Sequence, residues 1–297
     1  MRIVTRPDFD GVVCAVLLLD VEEITEPIKW IEPYEMKFGN DDIRNGDIIT
    51  NLPYVDKCSL WFDHHYSNKT DKPYKGAYKL APSAARIIYE YYYDSFSKDF
   101  TELVEETDKI DSANFSMNEV LSPEKYPYIM LYFTLSGRNK ADENYWTKVV
   151  NLLRKYDIGK VISDPEVKKR CNIIIEQDRE YKNFLKDYTT KKKHITITDF
   201  RSLTTEPRGN RFLVYSIFSD SLVNLKIRYD KNNREKIIIS LGQNIFNRKS
   251  KVHLGHLVSQ YGGGGHSGAG SCHFHISEAE EKISEIINIL LIDEAIH

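Results

Sequence analysis

The first half of the chain alternates short apolar segments with amphipathic segments, and this alternation narrows the folds open to it. The apolar segments have the length of buried strands: 2–5, 27–31, 47–50 and 59–62. The longer segments have helical spacing: 11–21, 82–94 and 144–156. Strands that alternate with helices predict a mainly parallel sheet covered by helices. Ligands of such sheets bind outside the carboxyl ends of the strands, so polar residues there are the first candidates for a site.

A charged helical pattern at 165–188, followed by three consecutive lysines, precedes a second and different pattern. The lysine run could contact a nucleic acid, but a solvated face is favoured. Beyond it, strands are predicted at 194–200, 223–229 and 236–241, and helices at 211–218, 254–261 and 278–291. The sequence therefore predicts an α/β protein with a mainly parallel N-terminal sheet flanked by helices and a smaller C-terminal α/β domain. The predicted boundaries are 1–163, a connecting helix at 164–190, and 191–297.

The composition is that of a soluble globular protein, with 41% hydrophobic and 29% charged residues among 297. A formal net charge of -3 gives no general attraction to nucleic-acid backbones, so no long duplex is expected as a partner. The four cysteines are scattered without paired spacing, which favours a reducing compartment. The N-terminus lacks the pattern of a signal peptide, and the apolar run 12–19 is too short to span a bilayer. We therefore expect a cytoplasmic protein without membrane contact.

Carboxylates and histidines follow two of the predicted strands. Asp8 and Asp10 lie where the first strand gives way to a helix, and the pair His64-His65 follows an aspartate, Asp63, at the end of an apolar strand. Carboxylates and imidazoles in this arrangement suit a divalent metal, with a neighbouring carboxylate fixing the tautomer of a ligating histidine. Asp10 alone could equally be a local helix cap. The histidine pair is an unusual choice for a structural turn.

A third acidic position follows in Asp108-Lys109-Ile110-Asp111, where Asp111 is the favoured ligand and Asp108 is its competitor. A ligand set of Asp8, Asp10, His64 and Asp111 suits Mn²⁺ or Mg²⁺: carboxylates favour hard cations, and the imidazole favours Mn²⁺.

A run of four glycines, 262–265, is followed by His266 in the second half of the chain. Glycines let an anion approach backbone N–H groups closely, and His266 could add a donor to a phosphate. The alternative is a flexible linker, but the run lies inside a predicted domain between a helix and a strand. Arg248, shortly upstream, could clamp a phosphate or be an ordinary surface arginine.

Taken together, these motifs resemble the DHH phosphoesterase superfamily, in the subfamily with a DHHA1 domain. TRPDFDG is similar to its first motif, FDHH to its naming motif, DKIDSA to its last acidic motif and GGGGHSGAG to the hallmark of the DHHA1 domain. The motifs occur in the expected order across both halves. Family II inorganic pyrophosphatases share the first domain and end differently, so the glycine run argues against that class.

The resemblance implies roles for individual residues. The implied metal ligands are Asp8, Asp10, His64, Asp111 and Asn51. Asp63 is expected to support His64, and His65 to touch the substrate phosphate, which makes Asp63 and His65 the catalytic candidates. The expected substrate and phosphate contacts are Arg6, Ser83 at a helix N-terminus, Arg248, Gly263, Gly264, Gly265 and His266.

Two positions depart from the family pattern. The first motif usually has a histidine four positions before its first aspartate, where this chain has Val4. The second motif usually supplies a bridging aspartate, where the best match is Asn51. Asp47 is a substitute at the other end of the same strand. Both departures affect the same metal, so the expected cofactor is one or two ions of Mn²⁺ or Mg²⁺.

The resulting prediction is a metal-dependent phosphoesterase that uses a metal-activated water to cut phosphodiester or phosphomonoester bonds. Its expected substrates are small nucleotides or short oligonucleotides. One alternative is an exopolyphosphatase-like hydrolase of inorganic phosphate chains. The other is a catalytically decayed nucleotide-binding protein, which Val4 and Asn51 motivate. A homodimer is the assembly considered.

Overall fold

The computed structural model describes residues 1–37, 42–135 and 140–292, and it divides the chain into two compact units. Met1–Asn114 and Pro123–Asn172 form the first unit; Phe115–Ser122 joins the chain from Ile173 onward in the second. The division falls inside a long helix, between the predicted boundaries at 163 and 190. None of the described helices combines the length and the apolar composition needed to cross a bilayer.

The first unit contains a five-stranded parallel sheet in the order β2-β1-β3-β4-β5 within the described residues. The predicted parallel sheet is therefore confirmed. Its strands are β1 (Arg2–Thr5), β2 (Lys29–Trp30), β3 (Asp47–Thr50), β4 (Leu60–Asp63) and β5 (Gly76–Tyr78). Because all strands run the same way, the residues that follow β1, β3 and β4 lie at one edge of the sheet.

Helices cover this sheet. The helices up to residue 163 are α1 (Phe9–Val21), α2 (Pro33–Lys37), α3 (Ala84–Tyr91), α4 (Thr101–Asp111), α5 (Met117–Leu121), α6 (Pro127–Thr134), α7 (Glu143–Lys155) and α8 (Ile158–Ser163). Of these, α5 belongs to the second unit. Short 3-10 turns occur at Tyr66–Asn68, Pro123–Lys125 and Lys140–Asp142. Helix α1 is apolar on nearly every face and is buried from Phe9 to Leu18. Its first turn is therefore held firmly beside the sheet.

The second unit contains a six-stranded mixed sheet in the order β10-β11-β9-β8-β7-β6. The elements from the long helix onward are α9 (Pro165–Tyr188), β6 (Thr189–Lys192), β7 (Ile195–Asp199), α10 (Leu213–Ile217), β8 (Val223–Tyr229), β9 (Lys236–Gln243), α11 (Leu254–Ser259), β10 (Gly264–His266), β11 (Ala269–His275) and α12 (Ile276–Ile292). Strands β7 and β8 are parallel, and the other neighbours are antiparallel. Alternate residues of β9 and β11 pack with α11 and α12 into one apolar core.

Two segments fold differently from their predictions. Lysines 191 and 192 are not the solvated end of a helix but part of the edge strand β6, whose last three residues are exposed. The glycine run is not a loop throughout, because Gly264 and Gly265 begin the hairpin of β10 and β11. Charged residues on an edge strand discourage unwanted pairing with another sheet, which accounts for the lysines.

Candidate metal centre

The turn between β1 and α1 places Asp8 and Asp10 at the carboxyl edge of the parallel sheet. Asp8 caps α1, and its Oδ1 accepts a hydrogen bond from the backbone N–H of Gly11 at 2.9 Å. A Cβ at Gly11 would lie 2.0 Å from the carbonyl oxygen of Arg6, so this tight turn requires glycine. The sequence feature DxDG therefore has a local geometric cause as well as a chemical one.

Asp10 is buried, with 1% of its surface exposed, and its carboxylate is held by the start of α3. Its Oδ2 accepts from the N–H of Ala84 and its Oδ1 from the N–H of Ala85, both at 2.9 Å. Burial raises the pKa of Asp10, as does the nearby Asp8 carboxylate, while the two amides lower it, as a protonated His64 would. The carboxylate is thus fixed in position.

His64 directly follows β4 and points one ring nitrogen toward Asp10. Its Nδ1 lies 3.0 Å from the carbonyl oxygen of Ala81, so Nδ1 carries the proton and Nε2 keeps its lone pair. Nε2 lies 3.7 Å from Asp10 Oδ2 and 3.5 Å from Asp111 Oδ2. Within the described part of the chain, Nε2 is buried without a hydrogen-bond partner. A lone pair facing two carboxylates in this way is the arrangement that a cation would complete.

Asp111 and its competitor Asp108 occupy different environments on α4. Asp108 accepts from the hydroxyl of Ser83 at 2.6 Å and from Arg86 Nε at 2.7 Å, so its charge is already paired. Asp111 instead faces His64. Desolvation of the carboxylate raises the pKa of Asp111 well above its usual range, and the Asp10 and Asp8 carboxylates raise it further, although 30% of the side chain is exposed. A divalent cation would relieve this crowding of negative charge.

Atoms of Asp10, His64 and Asp111 all lie within 4.8 Å of one another, which fits a single ion. Two carboxylates and an imidazole form a donor set that suits Mn²⁺, with Mg²⁺ as the harder alternative. The unpartnered Nε2 of His64 and the buried, unpartnered carbonyl oxygen of Asn51 agree with that fit among the described residues. The residues present can therefore hold a divalent metal.

The second histidine of the pair is oriented by Asp63. His65 Nδ1 lies 2.9 Å from Asp63 Oδ1, and the side-chain amide of Asn68 donates to Asp63 Oδ2 at 2.6 Å. The expectation that Asp63 supports His64 is thus wrong, because the backbone carbonyl of Ala81 takes that position. Asp63 is fully buried, whereas 18% of the His65 side chain is exposed. Asp63 therefore fixes the orientation of the His65 ring.

Ser83 also has a role different from the predicted contact with phosphate. Its hydroxyl is buried, accepts from the N–H of Arg86 at 3.0 Å and donates to Asp108. The anion held by the start of α3 is the carboxylate of Asp10. Asp47 is likewise engaged elsewhere, because it pairs with Arg2 at 2.7 Å and cannot replace Asn51.

The remaining predicted residues divide between the units. In the first unit, Asn51 donates its amide to Asp8 Oδ1 at 2.9 Å, and Arg6 Nη1 lies 3.3 Å from Asp8 Oδ2. In the second unit, the exposed Arg248 follows β9, and Gly263 precedes the hairpin that contains Gly264, Gly265 and His266. Sequence reasoning missed Ala81, Asn68 and Glu32. No motif marks these residues, and only the fold brings them to the site.

Comparison with known proteins shows which of them share this architecture. No model of a known protein family matches the sequence, and no curated protein sequence does. Among solved structures, the chain is similar to the pGpG-specific phosphodiesterase PggH from Vibrio cholerae, at 31% identity over 99% of each chain with a TM-score of 0.83. RecJ from Thermus thermophilus in complex with Mn²⁺ is similar over 99% of this chain and 52% of its own, at 10% identity and a TM-score of 0.57. An exonuclease RecJ bound to manganese is similar over 99% of this chain and 90% of its own, at 9% identity and a TM-score of 0.56.

The RecJ likenesses show the fold alone at these identities, whereas the PggH likeness combines full coverage of both chains with 31% sequence identity. The fold and the site together define a metal-dependent phosphoesterase, as the sequence predicts. The chain belongs to the DHH/DHHA1 phosphoesterase superfamily.

Proposed function

We propose that this protein hydrolyses the phosphodiester bond of pGpG or of a similarly short dinucleotide carrying a 5′-phosphate. One observation supports this most strongly: the cluster of Asp10, His64 and Asp111 occurs in a chain 31% identical over its full length to a pGpG-specific phosphodiesterase. The net charge of -3 agrees with a small substrate recognised locally rather than with a long nucleic acid.

Asp10, His64 and Asp111 would hold a divalent ion, with Asn51 as a neutral oxygen ligand. Mn²⁺ is the favoured ion because an imidazole belongs to the set. When bound, such an ion lowers the pKa of water and offsets negative charge on phosphoryl oxygens. The two amides of α3 keep Asp10 in place, and Ala81 keeps the proton of His64 on Nδ1. These contacts prepare the ligands before the ion arrives.

His65 is the proposed contact to the scissile phosphate. Asp63 holds its Nδ1 in hydrogen-bond distance, which orients the ring. Arg6 adds a guanidinium beside Asp8. In the second unit, Arg248, Gly263, Gly264, Gly265 and His266 are the proposed contacts to the rest of the substrate. A cytoplasmic location and a homodimer stay predictions.

The test is hydrolysis by the purified chain in Mn²⁺, with pGpG, pApA, a cyclic dinucleotide and polyphosphate as substrates. We expect turnover of the linear dinucleotides and its loss in Asp111→Asn, because the amide lacks the negative charge that the carboxylate brings to the cation site. The matched control is Asp94→Asn, which removes an exposed carboxylate of the same unit and should keep full activity.

The other outcomes would replace the proposal. Preferred hydrolysis of polyphosphate would make the protein an exopolyphosphatase-like enzyme. Binding of pGpG without turnover in any divalent ion would make it a nucleotide-binding protein. Full activity of Asp111→Asn would show that the chemistry takes place at a different site.

A further inference from the structure

Asp8 is surrounded by hydrogen-bond donors. Its Oδ1 accepts from the N–H of Gly11 and from the side-chain amide of Asn51, each at 2.9 Å. Its Oδ2 lies 3.3 Å from Arg6 Nη1. Both carboxylate oxygens of Asp8 are therefore already engaged. By contrast, the Nε2 atom of His64 in the neighbouring cluster has no hydrogen-bond partner in the part of the chain that is described.

The residues around Asp8 do not fit a second metal ion. Val4 offers no ligand atom and is fully buried in β1. Asn51 presents amide hydrogens to Asp8, since an amide oxygen would repel the carboxylate there. A dication on Asp8 would have to displace both Asn51 and Arg6 while gaining no charged ligand from positions 4 or 51.

The Arg6 guanidinium supplies positive charge at this place. Its Nε lies 3.2 Å from Glu32 Oε2, so Arg6 joins Asp8 and Glu32. The negative charge of Asp8 is the main cause that raises the pKa of Arg6. The positive charge of Arg6 in turn lowers the pKa of Asp111. About a third of the Arg6 side chain remains exposed, and its Nη2 makes no hydrogen bond among the described contacts. An N–H donor is therefore available beside the metal cluster.

We infer that Arg6 takes the place of a second metal ion: its guanidinium neutralises Asp8 and presents Nη2 to the substrate phosphate, and the enzyme binds one divalent ion per chain. The contact of Arg6 with the substrate rests on the proposed function, whereas the number of ions bound does not. A guanidinium suits the role because its planar fork can serve a carboxylate and a phosphate together.

The first test is the number of Mn²⁺ ions bound per chain, measured by equilibrium dialysis followed by elemental analysis. We expect one ion for the wild type and none for Asp111→Asn. Two ions bound to the wild type at a Kd that matches the requirement for activity would overturn the inference.

The second test is Arg6→Gln, which keeps the length of the side chain and removes its charge. We expect kcat/KM for pGpG to fall about 100-fold, the usual cost of losing a donor to developing charge, while one Mn²⁺ remains bound. Arg6→Lys should recover part of that loss, because it restores the charge without the fork. The control is Arg44→Gln, an exposed arginine of the same unit that also pairs with two carboxylates and should be neutral.

A purely structural ion pair would behave differently. If Arg6→Gln kept wild-type kcat/KM, or lost its Mn²⁺ together with its fold, Arg6 would be a support of the turn and the inference would fail. The proposed function fails separately, if the wild type does not hydrolyse pGpG. In that case the Mn²⁺ count and the effect of Arg6→Gln on the affinity for pGpG would still test the inference.

Discussion

Asp108 and Asp111 lie one helical turn apart on α4 and illustrate how neighbouring carboxylates acquire different roles. Asp108 faces Ser83 and Arg86, both of which cap or line α3. Asp111 faces His64 and the buried Asp10. The first carboxylate ties two helices together, and the second belongs to the proposed cation site. A substitution at each position should therefore affect a different property.

We predict that Asp108→Asn lowers the free energy of unfolding by about 1–3 kcal/mol, because it removes a charged partner from a mostly buried arginine. Urea denaturation monitored by circular dichroism would measure the loss. The number of Mn²⁺ ions bound should stay that of the wild type. Asp111→Asn provides the comparison, since it should lose the ion. If Asp108→Asn lost the ion instead, the two roles would have to be exchanged.

At the scale of single residues, the motifs identify all three members of the cluster but not the residues that orient them. Asp10, His64 and Asp111 could be selected from the sequence because carboxylates and a histidine follow predicted strands or lie in an acidic motif. The pairing of Asp63 with His65 could not, because it depends on the direction of each side chain after β4. The ion pair of Arg6 with Asp8 depends in the same way on the turn before α1.

At the scale of the elements, the glycine run 262–265 both packs against α11 and is predicted to contact the substrate. A Cβ at Gly255 in α11 would lie 2.5 Å from the backbone of Gly265, so helix and hairpin approach too closely for any side chain. A Cβ at Gly264 would meet nothing within 4 Å. The packing of α11 against β10 therefore requires glycine at position 255 but leaves room for a side chain at position 264.

We predict that Gly255→Ala destabilises the second unit by about 1–3 kcal/mol, the usual cost of overpacking. Gly264→Ala is the matched control and should keep the wild-type melting temperature. Thermal denaturation of both variants would measure the difference. Equal melting temperatures would contradict the close packing of α11 on β10. A loss of activity in Gly264→Ala at unchanged stability would support the predicted contact between this backbone and the substrate.

The longer elements could be read from the sequence, whereas several short ones could not. Strands β1, β3 and β8 and the long helix α9 have the predicted bounds, because each carries a clear apolar period or a long charged pattern. The prediction missed β6, whose residues TTKK are mostly exposed and carry no apolar alternation. It also missed the helix α5, which has only five residues. Pairing with a neighbour, rather than local preference, decides such elements.

For the whole molecule, the cation site couples metal to the stability of the first unit. We predict that Mn²⁺ at about 100 times its Kd stabilises the native state by about 2.7 kcal/mol, because the ion binds the folded site and not the unfolded chain. A scan of melting temperature against Mn²⁺ concentration would measure this effect. EDTA should reverse the effect, and Asp111→Asn should abolish it. An equal rise in that variant would show that the ion acts at another place.

The ligands of this site come from three distant stretches of the chain, the first turn of α1, the residue after β4 and the end of α4. Their geometry also depends on the amides of α3, which reach Asp10 across the sheet edge. No local segment can therefore capture the ion during folding, and binding has to await the assembled sheet. Interactions that form late in folding chiefly slow unfolding. A metal bound at this site should therefore slow unfolding, and the lifetime of the folded protein should depend on metal supply more than its rate of folding does.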